Sequence, residues 1–244
     1  MGNCCKTRKS QNEEERLIHN ILFAMKINQK TFSDVHQLLF NEEYNPQNTT
    51  PSDPNKRIKK YEFSEIAGNH FYENYEKTNI YLTIHKDFFE LISSKLCPNG
   101  ETEIPCYIII FLLFPFLKDS NSEKMTYFNY ITSHKITCEN TNINNIEFIE
   151  VLKEYLRINL SYITSVMSSI IVKNTEYKDK VEPLEKLRKI CEDQNKLNLF
   201  VDAEFPIKTN GERLETMETL RINSFIFNFY ELRSSYLDRY YEWE

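Results

Sequence analysis

The chain has 244 residues, with 30 Lys+Arg against 36 Asp+Glu and a formal net charge of -6. At 41% hydrophobic and 14% aromatic it is too apolar to be a disordered chain, and at roughly 150 residues per domain it makes one large domain or two small ones. With 4 Gly and 8 Pro it lacks the positive-φ and turn residues of a Gly-rich nucleotide-binding enzyme, a turn-rich β-sandwich or a collagen-like fibre. Its acidic balance argues against nucleic-acid binding.

The chain starts Met-Gly-Asn-Cys-Cys-Lys-Thr-Arg-Lys-Ser, with no apolar run behind it, so it does not read as a secretory signal. It reads as a lipidation signal. Gly2 is the residue that N-myristoylation uses once Met1 is removed, and Cys4 and Cys5 are placed for palmitoylation. Lys6 stands where Ser or Thr is usual, with Thr7 one place late. Lys6, Arg8 and Lys9 would face anionic headgroups at about 1 kcal/mol each. One myristoyl chain binds a membrane only marginally and two acyl chains anchor stably, which gives the cysteines a purpose beside Gly2. The expected location is the cytosolic face of a membrane, held peripherally.

Helical spacing then recurs along the chain. Leu17, Ile18, Ile21, Leu22 and Met25 share one face, and a second helix is predicted from a Ser33 cap through Phe40. Residues 41–57 hold three prolines and read as a linker, followed by a predicted helix over 58–75. Ile80 to Leu96 is helical up to the breaker Pro98-Asn99-Gly100. Pro105 then opens a helix to Leu117, Glu123 one to about Ser133, and Asn144 a long one to Val172. Pro183 opens another, Asn210-Gly211 marks a turn, and a final helix is predicted from about Leu214 to Trp243. The longest apolar stretch, Cys106–Leu117, is twelve residues, against the about 20 a membrane-spanning helix needs. No βαβ alternation and no repeat is visible, and the fold class is all-α. The predicted organisation is a tail over 1–16, a helical domain over 17–175 and a C-terminal helical segment over 176–244.

Sites of chemistry are sparse. Cys97, Cys106, Cys138 and Cys191 form no Cys-x-x-Cys and no zinc-finger spacing. His19, His36, His70, His85 and His134 are scattered, and no nucleophile elbow, phosphate loop or His-Glu-x-x-His occurs. Neither a catalytic residue nor a cofactor is expected. In the C-terminal stretch Tyr236, Tyr240, Tyr241 and Trp243 read either as core or as an aromatic docking face for a protein partner.

Two stretches have the rhythm of helix-loop-helix units. A loop begun at Cys97 puts Ile104 at position 8, and one begun at Ile136 puts Ile143 there with Glu147 at position 12; these are the apolar pairing and bidentate positions of an EF-hand. The ligand positions speak against Ca²⁺: Cys97, Asn99, Glu101, Thr102 and Ile108 in the first loop, and Ile136, Cys138, Asn140, Thr141 and Glu147 in the second. The Phe116-Leu-Lys-Asp-Ser-Asn-Ser-Glu-Lys124 segment resembles the connector between paired hands in calcineurin-B-like proteins. Together with the Met-Gly-Asn start and the helix from Asn145 to about Leu160, it makes residues 1–170 resemble the N-terminal half of the mTOR-associated TLDc-domain proteins. The strand patterning and length for a TLDc domain are missing after residue 170. The resemblance implies a lipid-anchored, non-catalytic regulator with divergent EF-hand-like helix pairs, near a membrane complex such as a vacuolar proton pump. A Ca²⁺-responsive sensor with a myristoyl switch is the alternative.

Overall fold

Local capping decides where the helices begin. The computed structural model describes residues 27–42, 44, 56–71, 79–97, 101–136, 145–173, 181–205 and 223–243. After a 3₁₀ turn (Ile27–Gln29), α1 (Phe32–Phe40) is capped by Thr31 and not by Ser33. Thr31 Oγ1 accepts from Asp34 N at 3.1 Å and the Asp34 carboxylate accepts from Thr31 N at 2.7 Å, a reciprocal capping box. Ser33 has His36 three residues on, which cannot return such a bond. Asn41 ends the helix in the left-handed region at φ 59°, a conformation its short polar side chain tolerates.

The one sheet among the described residues is a short antiparallel pair, β1 (Arg57–Lys59) with β2 (Glu103–Pro105), in which Ile58 faces Ile104. Both isoleucines are buried. Each strand runs directly into a helix, α2 (Lys60–His70) and α4 (Cys106–Leu113). Lys60 N donates to Thr102 O and Cys106 N to Lys56 O, both at 2.9 Å, so the pair clamps the starts of the two helices together. Ile58 therefore lies in a strand and not in the helix expected over 58–75. Ile104, expected to pair with Ile143, pairs with Ile58 instead, and Ile143 lies outside the described residues. Between α2 and β2 runs α3 (Asn79–Leu96).

Helix α4 is buried on nearly all sides, as an apolar sequence with no polar stripe must be. Pro115 lies in the 3₁₀ turn Phe114–Phe116 that ends it. The connector then doubles back: Lys118 N donates to Lys30 O at 2.9 Å, and the Asp119 carboxylate accepts from Phe32 N at 2.8 Å at the front of α1. Ser120 and Glu123 form the capping box of α5 (Asn121–Ile136). Behind this wrap sits an aromatic cluster in which Phe128 lies 5.6 Å from Phe111, 5.2 Å from Tyr155 and 5.6 Å from Phe227, mostly edge-on or tilted.

The long helix predicted after Asn144 is one continuous rod of three parts, α6 (Asn145–Leu156), a wider π-helical stretch (Arg157–Tyr162) and α7 (Ile163–Lys173). Helix α8 (Val181–Glu192) packs along α7. Asp193 then caps α9 (Gln194–Glu204), its carboxylate accepting from Asn195 N and Lys196 N. Of the helix predicted from Leu214 to Trp243, residues 214–222 lie outside the described residues, and the rest is corrected: a 3₁₀ turn (Ser224–Phe227) precedes a shorter α10 (Phe229–Glu242), which Asn228 caps. That turn inserts into the aromatic cluster, where Tyr155 Oη donates to Ile226 O at 2.8 Å. Buried residues on both sides of position 176 belong to one hydrophobic core.

Candidate functional site around Arg233

The π-helical stretch and the start of α7 carry a row of buried polar side chains, Asn159, Ser161, Thr164, Ser165 and Ser168, in an otherwise apolar interior. A π-helix shifts the hydrogen-bond ladder by one residue and often marks a functional position. Asn159 is a brace within it. Its Nδ2 donates to Phe111 O at 3.0 Å and to Tyr155 O at 2.9 Å, while its Oδ1 has no partner. Further along, Ser168 Oγ donates to Glu185 Oε1 at 3.1 Å, joining α7 to α8. The Arg188 guanidinium donating to Glu185 holds that carboxyl below its ordinary range.

Arg233 of α10 is likewise buried. It is 1% exposed, and none of its three guanidinium nitrogens has a hydrogen-bond partner. The guanidinium stands over the Phe229 ring, one helical turn back, at 6.0 Å from the centroid. Its field reaches the thiol of Cys191 at the end of α8. Burial pushes that thiol up, and Arg233 and the adjacent Thr164 hydroxyl partly oppose the shift. Thr164 Oγ1 makes no full hydrogen bond with any neighbour. Tyr236, one turn beyond Arg233, donates from its hydroxyl to Ile190 O at 3.1 Å, and burial raises its pKa. Leaving an ion of this size unpaired in the interior costs several kcal/mol. An arginine cannot relieve that cost by losing its proton.

A second buried cation, Lys124 of α5, is handled differently. Its Nζ donates to Pro115 O and Phe227 O, each at 3.3 Å, tying the end of α4 to the 3₁₀ turn before α10. Burial pushes its pKa down to about 8, against the opposing charge of Asp119. Asp119 is itself raised by burial, although it accepts the Phe32 amide.

Gly2, Cys4, Cys5, Lys6, Arg8 and Lys9 lie outside the described residues. Of the expected docking face, Tyr236 is removed by burial: it is a core residue whose hydroxyl is committed to α8. Tyr240 and Trp243 are half-buried against Lys196, whose Nζ stands 5.3 Å and 5.8 Å from their rings and donates to Trp243 O at 3.0 Å. Tyr241 is exposed. His36 is buried and stacked on Phe40 at 4.6 Å, and His70 is exposed. Among the described residues no group of three or more His, Cys, Asp or Glu is placed to hold a metal, and no helix is long and apolar enough to cross a membrane.

The reading of the sequence overlooked Arg233 and Thr164. The available signal was Arg233 falling at helical spacing between Phe229 and Tyr236, on the apolar face of its helix. Comparison with family models, with curated proteins and with solved structures gives no match for this chain.

Proposed function

We propose that this protein is a non-enzymatic, lipid-anchored helical adaptor or regulator that works at the cytosolic face of a membrane by docking a protein partner. The observation that carries the reading is the joint occurrence of Gly2, Cys4, Cys5 and the basic residues Lys6, Arg8 and Lys9 in one short N-terminal stretch. Two acyl chains and a basic patch fix a helical body at a surface, and confinement raises the effective concentration of any partner there, so a modest interface suffices. The resemblance to the mTOR-associated TLDc-domain proteins supports the same reading and suggests a membrane complex such as a proton pump as the partner.

The arrangement of α1 to α4 supports an EF-hand-like body. Two helix-loop-helix units meet through Ile58 and Ile104, and counting either isoleucine as position 8 starts the following helix at position 10, Lys60 and Cys106. The loop that leads into α2 then has Glu62 at position 12, but that carboxylate accepts the Lys59 amide at 2.9 Å and serves α2 as a cap. This use of Glu62, with Ile108 at position 12 of the other loop, disfavours the alternative of a Ca²⁺ sensor.

Membrane fractionation of the tagged protein tests the proposal, beside Gly2→Ala and a Cys4→Ser/Cys5→Ser double variant. Wild type is expected in the membrane pellet and both variants in the supernatant. Wild type in the supernatant removes the anchor and with it the adaptor. A Ca²⁺ titration of the myristoylated protein, followed by liposome co-sedimentation, is expected to change nothing; Ca²⁺-dependent pelleting would establish the sensor instead.

A further inference from the structure

We propose that the edge of the buried Arg233 guanidinium is an internal binding site for a small monovalent inorganic anion of halide size. The proposal stands apart from the membrane-adaptor reading and does not depend on it.

The first ground is the geometry of the guanidinium. Phe229 takes one face of the ion through its ring, and a π face attracts charge without accepting the in-plane N–H bonds. Those donors point outward from the edge of the plane, and all three nitrogens lack a partner in a residue that is 1% exposed. A planar fork of donors is the arrangement that binds anions.

The second ground is what surrounds it. The Arg233 charge acts on the Cys191 thiol, which burial keeps protonated and able to donate, and the fully buried Thr164 hydroxyl stands next to that thiol. The Tyr236 hydroxyl spends its proton on Ile190 O. The acidic residues that follow Cys191 are engaged elsewhere. Glu192 lies 3.5 Å from Arg188 and 3.8 Å from Lys95, and Asp193 caps α9. Arg233 forms no ion pair with any carboxylate among the described residues.

The third ground is size and charge. A residue so enclosed admits only a small ligand, and one negative charge neutralises one guanidinium, whereas a dianion such as hydrogen phosphate would leave a buried net charge of the opposite sign.

Thermal unfolding of the full chain tests this at pH 7, in sodium chloride series balanced with sodium gluconate to constant ionic strength. The midpoint is expected to rise by about 3–6 °C for each tenfold increase in chloride above half-saturation, as for any ligand that binds only the folded state. Bromide should replace chloride, and Arg233→Met should flatten the response. A flat wild-type response overturns the site, and so does an Arg233→Met protein that keeps the wild-type increment. If Arg233→Met does not fold, crystals of the wild-type protein grown in sodium bromide decide. An anomalous peak at hydrogen-bond distance from the Arg233 edge supports the site, and its absence there, with water alone on the guanidinium, overturns it.

Discussion

Lys124 and Arg233 are two buried cations in one core, and the fold treats them in opposite ways. Lys124 is surrounded by the ends of elements: the last turn after α4 and the turn before α10 each point a carbonyl at its Nζ. An ammonium that is partly desolvated between two carbonyl oxygens can also shed its proton, and its pKa falls to about 8. Arg233 has no main-chain carbonyl among the described residues at its guanidinium. It has no hydrogen-bond partner among the described residues, only the face of Phe229. Two main-chain carbonyls therefore satisfy the buried amine, while the buried guanidinium is left to find its counter-charge elsewhere.

Four expected outcomes test this contrast. The largest concerns the aromatic packing that surrounds the Lys124 side of the core. Phe128→Ala removes a fully buried ring in contact with Phe111, Tyr155 and Phe227 and is expected to lower stability by about 3–5 kcal/mol in urea unfolding; a loss below about 1 kcal/mol would mean the cluster is not what holds the turn before α10. Next, the two cations should respond with opposite signs to the same neutral replacement. In gluconate, free of halide, Arg233→Met is expected to stabilise by about 1–4 kcal/mol, because it removes an uncompensated buried charge and keeps the volume. Lys124→Met is expected to destabilise by about 1–3 kcal/mol, because it strands the carbonyls of Pro115 and Phe227. Equal signs in chemical denaturation would dissolve the distinction.

The pH dependence is a smaller effect. The unfolded chain takes up the Lys124 proton near the ordinary value of 10.5 and the folded chain only near 8. Between those values the unfolded state binds more protons, so this group makes stability rise as pH rises from about 8 towards 10.5. The difference between wild type and Lys124→Met, measured across pH 8 to 9.5, should show that slope; a flat difference would show the amine remains charged on both sides. The smallest effect belongs to His36, whose imidazole is held below its ordinary 6.5 by burial. The unfolded chain binds that proton first, so His36 subtracts stability as pH falls below about 6.5, and His36→Phe should remove that part of the acid-side loss seen in urea titrations.

Much of the helical framework was legible in the sequence, because it depends on spacing that a reader can count. Helix α3 ends beside the expected Pro98-Asn99-Gly100 breaker, and the all-apolar α4 starts immediately after Pro105. What was hidden depends on contacts distant along the chain. Ile58 has no local mark that makes it the partner of Ile104, and nothing near Asn159 announces a π-helical stretch. Thr31 took the cap from Ser33 through one extra bond from Asp34, a choice that turns on a residue three places away. Arg233 was the subtlest, since a charged residue among aromatic ones is usually a solvated exception, and only tertiary packing shows that this one is enclosed.

The turn at Ser224–Phe227 has a consequence for synthesis. Its carbonyls receive Tyr155 Oη and Lys124 Nζ across 71 and 103 residues of chain. The aromatic surface of Phe111, Phe128 and Tyr155 has therefore left the ribosome several seconds before its cover is made, at about 5–20 residues per second. During that interval a nascent chain displays a wide greasy face that invites holdase chaperones.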